Sequence, residues 1–152
     1  MVKNKAIFLD SDGTINYDYG DVHECDKLKF IDGSIEGLKR LYNAGYILII
    51  ITNQSGIRRG YFNFDQYNKF NDFFLNELKK CGVVISHVYT CPHIDNDNCE
   101  CRKPKLGLFN QAIIDYNIDL ANSFAIGDKE RDLSICDKTL VRGILINGST
   151  IS

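Results

Sequence analysis

The sequence predicts an α/β fold, a Rossmann-like three-layer sandwich around a central parallel sheet. Apolar runs rich in β-branched residues recur along the chain, each stops abruptly at polar or charged residues, and the segments between them carry helical spacing. A run that is apolar at every position is buried on both faces, as strands are when helices cover both sides of a parallel sheet.

Ala6-Ile7-Phe8-Leu9 is the first strand, and it ends at Asp10-Ser11-Asp12-Gly13-Thr14, two carboxylates one residue apart followed by glycine. Ligands of α/β sheets bind in the crevice beyond the carboxyl ends of the strands, so these acids stand where chemistry is expected. Residues 16 to 33 have no clear period and read as a long functional loop with a short extended piece near Leu28 to Ile31. Ser34 is placed to cap a helix through Ala44, with Ile35, Leu38, Leu41 and Tyr42 at helical spacing and Gly45 ending it. Tyr46 to Ile51 is the second strand, parallel to the first through a right-handed crossover, and it runs into Thr52-Asn53-Gln54-Ser55-Gly56.

Asn63 or Asp65 opens a helix to about Lys80, with Tyr67, Phe70, Phe74, Leu75 and Leu78 on its core face and Gly82 closing it. Val83 to Tyr89 is a third strand. Residues 91 to 105 hold a cysteine and histidine cluster and Arg102-Lys103-Pro104-Lys105, and a helix follows from about Leu108 to Tyr116. Ser123 to Ile126 is a fourth strand ending at Gly127-Asp128-Lys129-Glu130-Arg131-Asp132. A helix to about Asp137 and a strand over Gly143 to Ile146 complete the pattern.

The length of 152 residues suits a single domain spanning 1–152, and no gap between the motifs is long enough for a large cap domain. A net charge of −2 gives no electrostatic case for nucleic acid or an anionic membrane as partner. The first apolar run meets Asp10 too soon to be a signal peptide or a membrane span. A cytoplasmic monomer acting on a small molecule is the expectation.

Three strands thus end in reactive residues, Asp10 and Asp12, Thr52 and Asn53, and Asp128, while a fourth segment supplies Arg102 and Lys103. Parallel adjacent strands bring them to one sheet edge. Such a set suits phosphoryl transfer from an anionic ester: carboxylates hold Mg²⁺ shared with substrate phosphate. One carboxylate attacks phosphorus. The second protonates the leaving alcohol and then deprotonates the attacking water. The Thr52 hydroxyl and Lys103 stabilise the equatorial oxygens.

Of six cysteines, Cys91, Cys99 and Cys101 fall within eleven residues together with His93. A Cys₃His set is a closed structural zinc tetrahedron, with free thiols or a Cys99–Cys101 disulfide as the alternative. Its role is to hold the loop so that Arg102 and Lys103 point into the site. Cys25, Cys81 and Cys136 are ordinary thiols, and Arg58-Arg59 is either a grip for a second phosphate or a solvated surface.

Asp10-x-Asp12-Gly13-Thr14, Thr52-Asn53-Gln54-Ser55-Gly56, Arg102-Lys103-Pro104 and Gly127-Asp128-Lys129-x-x-Asp132 resemble, in order and spacing, the four motifs of the haloacid dehalogenase superfamily of phosphatases. Cys91-Pro92-His93 and Cys99-Glu100-Cys101 resemble its zinc-containing branch, which holds the D-glycero-D-manno-heptose 1,7-bisphosphate phosphatases and the histidinol-phosphate phosphatase domain. The resemblance implies Asp10 as nucleophile and Mg²⁺ ligand. It implies Asp12 as general acid/base that also offers its backbone carbonyl to the metal, and Asp128 as the remaining Mg²⁺ ligand. Lys103 matches the phosphate-neutralising lysine and Thr52 the phosphate-binding hydroxyl. The implied substrate surface is Asp18, Tyr19, Gly20, Asp21, Asn53, Gln54, Ser55, Arg102 and Lys129.

The implied activity is removal of the 7-phosphate of the heptose bisphosphate through an aspartyl phosphate. Histidinol phosphate is the alternative substrate, and a catalytically silent zinc-stabilised binding module is the alternative of another class. Two positions depart from the branch: Ser11 stands where arginine is usual, and only five residues separate His93 from Cys99.

Overall fold

Strands β1 (Ala6–Leu9), β2 (Ile47–Asn53), β3 (His87–Cys91), β4 (Phe124–Gly127) and β5 (Arg142–Leu145) form one all-parallel sheet in the computed structural model, ordered β3-β2-β1-β4-β5. The structure describes residues 2–146. β1 is central, and Leu9 lies beside Ile50 of β2 and Ile126 of β4. Whatever follows these three strands therefore meets at one edge.

Alternation along the strands feeds two separate apolar layers. Phe8, Ile49, Ile51 and Ala125 face one way and pack with Phe109 and Ala112 of α3 (Gly107–Tyr116). Ile7, Leu9, Leu48 and Ile50 face the other way, against Leu38 of α1 (Ser34–Asn43) and Phe70, Phe74 and Leu78 of α2 (Phe64–Lys80). This is the expected sandwich, and its core strands are buried on both faces. Among the described residues, no helix is long and apolar enough to cross a membrane.

Several boundaries differ from the sequence expectation for identifiable reasons. Ser34 does not cap α1: the cap position is Gly33, at φ +86°, and Ser34 Oγ instead donates to the Ile15 carbonyl at 2.9 Å, tying the helix to the loop after β1. Asn63 does cap α2, through a reciprocal pair with Gln66 in which each backbone N–H meets the other's side-chain oxygen at 2.8 Å. β2 runs on to Asn53, while β3 begins at His87 rather than Val83. The Val83 N–H is spent on the Leu78 carbonyl at the end of α2, and contact with β2 starts only at Ser86, whose N–H reaches Leu48. The segment after β4 is a 3-10 helix, Glu130–Asp137. In the 16–33 loop the expected extended piece pairs back on the first loop, with Tyr17 N–H to the Lys29 carbonyl and Ile31 N–H to the Ile15 carbonyl, each 2.9 Å.

Candidate active site

Asp10 leaves the end of β1 beside a lysine delivered from the far side of the sheet. Lys103 Nζ lies 3.2 Å from Asp10 Oδ1, 2.7 Å from Asp132 Oδ1 and 2.6 Å from the Ile51 carbonyl. The Lys103 side chain is only 2% exposed, so its charge is compensated by these three oxygens and not by water. Asn53 docks the lysine's loop: its Nδ2 donates to the Lys103 carbonyl and its Oδ1 accepts from the Lys103 N–H. Asp132 is placed by the 3-10 helix, and its second oxygen accepts from the Lys129 N–H at 3.1 Å.

Burial pushes the Asp10 carboxyl up to about 7 against the lowering pull of Lys103, and the carboxylates of Asp132, Asp12 and Asp128 add to the rise. Burial also raises Asp12, to about 6, while hydrogen bonds from Asn16 and Gln54 oppose it. Asn16 Nδ2 is 2.9 Å from Asp12 Oδ1, and Gln54 Nε2 is 3.3 Å from Oδ2.

Carboxylate oxygens of Asp10, Asp128 and Asp132 lie within 4.8 Å of one another. Of these, Asp132 is held by Lys103 and by the Lys129 N–H, while Asp10 and Asp128 are hard anionic donors that fit a small divalent cation such as Mg²⁺. The Asp12 carboxylate is outside this group. Gly13 is required here: at φ +86°, a Cβ at this position would strike the Asp128 carboxylate.

Asp18, Asp21, Asn53, Gln54, Ser55, Arg102 and Lys129 line the same cleft as Asp10, Asp12 and Lys103. Tyr19 and Gly20 do not; they are exposed and line a separate groove along residues 19 to 29. Thr52 is 2% exposed and does not line the cleft either, its hydroxyl meeting Gln54 Nε2 at 3.0 Å and Ser11 Oγ at 3.2 Å. Sequence reasoning passed over Arg131 and Asp132, which line the cleft, and Asn16. Asp132 was visible as the second acid of the Gly127-Asp128 motif; nothing in the sequence marked Arg131 or Asn16.

Cys91, His93, Cys99 and Cys101 also converge, with ligand atoms within 4.8 Å of one another. Cys91 Sγ is 3.7 Å from Cys99 Sγ and 3.6 Å from His93 Nδ1, and His93 Nδ1 is 3.3 Å from Cys101 Sγ. A zinc tetrahedron with bonds of about 2.3 Å to sulfur has edges of roughly 3.8 Å, so these separations suit the metal. The Cys91–Cys101 edge, 2.6 Å, is tighter than that. For Cys99, burial works against the thiolate, but N–H groups of Arg102 and Cys101 and the neighbouring thiols hold it down at about 6, whereas burial pushes the Cys91 and Cys101 thiols up.

The loop grips the cleft directly. Asp95 accepts from Arg102 Nε at 2.7 Å, and the His93 carbonyl accepts from the same guanidinium at 3.1 Å. Asp97 pairs with Arg58 at 3.2 Å, so that arginine is committed to the loop.

Comparison with known proteins agrees with this geometry. The polynucleotide kinase 3 phosphatase family matches residues 5–142. The chain is 49% identical over 135 residues to the D-glycero-beta-D-manno-heptose-1,7-bisphosphate 7-phosphatase of Pasteurella multocida, covering 85% of this chain and 73% of that one. It is 45% identical over 126 residues to the probable D-glycero-D-manno-heptose-1,7-bisphosphate 7-phosphatase of Thermoplasma acidophilum, covering 83% and 79%. The crystal structure of D,D-heptose 1,7-bisphosphate phosphatase from B. bronchiseptica, complexed with magnesium and phosphate, superimposes with a TM-score of 0.85 at 35% identity, over 93% of this chain and 79% of that one.

Fold and cleft together define a phosphatase, with acids and one buried lysine gathered at the carboxyl edge of a parallel sheet. The chain belongs to the haloacid dehalogenase superfamily, in the branch of the heptose 1,7-bisphosphate phosphatases.

Proposed function

We propose that this chain removes the 7-phosphate from D-glycero-D-manno-heptose 1,7-bisphosphate in a Mg²⁺-dependent reaction that passes through an acyl phosphate on Asp10. The observation that carries the reading is the meeting of Asp10, Asp12 and Lys103 in one cleft of a chain 49% identical to a relative of that name.

Asp10 attacks phosphorus, and Lys103, 3.2 Å away, favours its anionic form against the cost of burial. Asp12 gives its proton to the departing 7-oxygen. It then takes a proton from the water that cleaves the acyl phosphate, returning Asp10 to its starting state. With its carboxyl near 6, Asp12 is able to serve in both directions around neutral pH. Asp10, Asp128 and the backbone carbonyl of Asp12 would hold Mg²⁺, which when bound offsets charge on the transferring group. Thr52 supports the phosphate site from behind Gln54. Arg102, Lys129 and Arg131 supply positive charge for the phosphate that is retained, and Asp18 and Asp21 supply acceptors for sugar hydroxyls. Cys91, His93, Cys99 and Cys101 would hold zinc, which when bound would keep the loop in place.

Steady-state assays on the heptose bisphosphate and on histidinol phosphate test the assignment. The expected result is a higher kcat/KM for the bisphosphate, with the 1-phosphate as the product seen by phosphorus NMR. A higher value for histidinol phosphate overturns it, and loss of all activity in the Mg²⁺-loaded protein would favour a silent binding module.

A further inference from the structure

We infer that Gln54 and Asn16 are positioning residues that hold the Asp12 carboxylate in its proton-transferring pose, and that Thr52 and Ser11 orient Gln54. The inference rests on the assignment of Asp12 as general acid. It moves Gln54 from the substrate surface to the proton-transfer apparatus and gives Ser11 a task.

The last torsion of an aspartate is broad, so a carboxylate on a loop does not by itself present one oxygen to the leaving group. Here each oxygen has its own donor: Asn16 Nδ2 on Oδ1 at 2.9 Å and Gln54 Nε2 on Oδ2 at 3.3 Å. Two donors on separate oxygens fix the plane of the group.

The orientation of both amides is determined by their neighbours. Asn16 Nδ2 faces two acceptors, Asp12 Oδ1 and the Tyr17 carbonyl at 3.4 Å, so the flipped amide would set oxygen against oxygen. Its own Oδ1 is buried and has no partner among the described residues. Buried acceptors without a partner are uncommon, and this one is explained if Asn16 is retained for what its nitrogen does.

Gln54 Nε2 likewise serves two acceptors, Asp12 Oδ2 and Thr52 Oγ1 at 3.0 Å. Thr52 Oγ1 shares a hydrogen with Ser11 Oγ at 3.2 Å. The backbone N–H of Gln54 is fixed on the Cys91 carbonyl at 2.7 Å. A short polar chain, Ser11–Thr52–Gln54–Asp12, thus crosses from the end of β1 to the end of β2 and back.

The test is the dependence of kcat/KM on the leaving group, measured with phenyl phosphates whose phenols have graded acidity. Such esters lack the sugar, so a lost sugar contact does not alter the slope, whereas a misplaced acid penalises poor leaving groups most. Gln54→Met and Asn16→Ala are expected to lose at least tenfold more on phenyl phosphate than on 4-nitrophenyl phosphate, and Ser11→Ala to shift the same way by a smaller factor. Thermal midpoints establish that each variant is folded; should the amide variants not fold, Ser11→Ala, which lacks only a hydroxyl, carries the comparison. Asp12→Asn is the reference. If Asp12→Asn leaves the slope unchanged, the general-acid reading itself fails. If Asp12→Asn steepens it and the other variants keep the wild-type slope, Gln54 and Asn16 are not positioning residues and the inference is overturned.

Discussion

The ammonium of Lys103 stands 2.7 Å from an Asp132 carboxylate whose side chain is itself only 3% exposed. Asp10 shares the same ammonium, so two acids divide one buried cation. Breaking a buried pair by removing one partner costs about 3–5 kcal/mol because the remaining charge is stranded. Lys103→Met is expected to lower stability by about that amount in urea titrations at pH 7. The deficit should shrink as pH falls below 7, where Asp10, pushed up to about 7 by burial even with Lys103 beside it, takes up a proton.

Asp10 has a different diagnostic. Asp10→Asn keeps the shape of the side chain but removes the nucleophile, so kcat should fall by at least about 1,000-fold, within the range seen when a covalent catalyst loses its attacking group. Acid-quenched samples of the wild type should contain a phosphorylated chain by mass spectrometry, and those of the variant none.

The raised carboxyls of Asp10 and Asp12, about 7 and about 6, link stability to pH. An unfolded aspartate titrates near about 4, so between roughly pH 4 and 7 the folded chain binds more protons than the unfolded one. Stability of the Mg²⁺-free protein is therefore expected to be greatest at the acid end of that window and to decline as pH rises through it. Saturating Mg²⁺ should flatten or reverse the decline, since the cation binds the ionised acids. Thermal midpoints at pH 5, 6, 7 and 8, with and without Mg²⁺, read both effects.

Zinc makes a stoichiometric prediction. Elemental analysis should find one zinc per chain, lost in Cys99→Ser and Cys101→Ser together with thermal stability. Because Asp95 and the His93 carbonyl hold Arg102, the variants that still fold should show KM raised by about 10-fold to 100-fold, the scale of a misplaced substrate-positioning group. Added Mg²⁺ should not restore it.

Gly13→Ala tests close packing under the acids. The new Cβ meets the Asp128 carboxylate, and the φ of +86° disfavours any side chain. Mg²⁺-dependent activity should drop by about 100-fold or more, as expected for a displaced reacting group, with a lowered thermal midpoint.

How much of this was legible in the sequence differs by kind of contact. The strands Ala6–Leu9 and Ile47–Asn53 were visible because a wholly apolar, β-branched run has few other places to go. The convergence of Asp10, Lys103 and Asp128 followed from parallel topology alone. Val83 misled because an apolar residue at the end of a helix pattern looks the same whether it enters a ladder or closes the preceding helix. Ser34 misled for a similar reason: its hydroxyl had a tertiary partner, Ile15, that local spacing does not reveal. Thr52 was assigned to the cleft by its motif, while its burial depends on Ser11 and Gln54 from neighbouring loops. Asn16 was invisible, since a lone asparagine in an irregular loop has no pattern to betray it.

The hydrolytic residues are fastened to one another and to β2: Lys103 to Asp10, Asp132 and Ile51, with Asn53 anchoring the lysine's backbone. None of those bonds comes from residues 94 to 98, whereas Asp95 and Asp97 reach the two arginines, Arg102 and Arg58. The contacts that hold Lys103 are consequently distinct from those that hold Arg102 and Arg58. Exchanging the five residues between His93 and Cys99 should therefore act through Arg102 and raise KM more than it lowers kcat, while Lys103 keeps its partners.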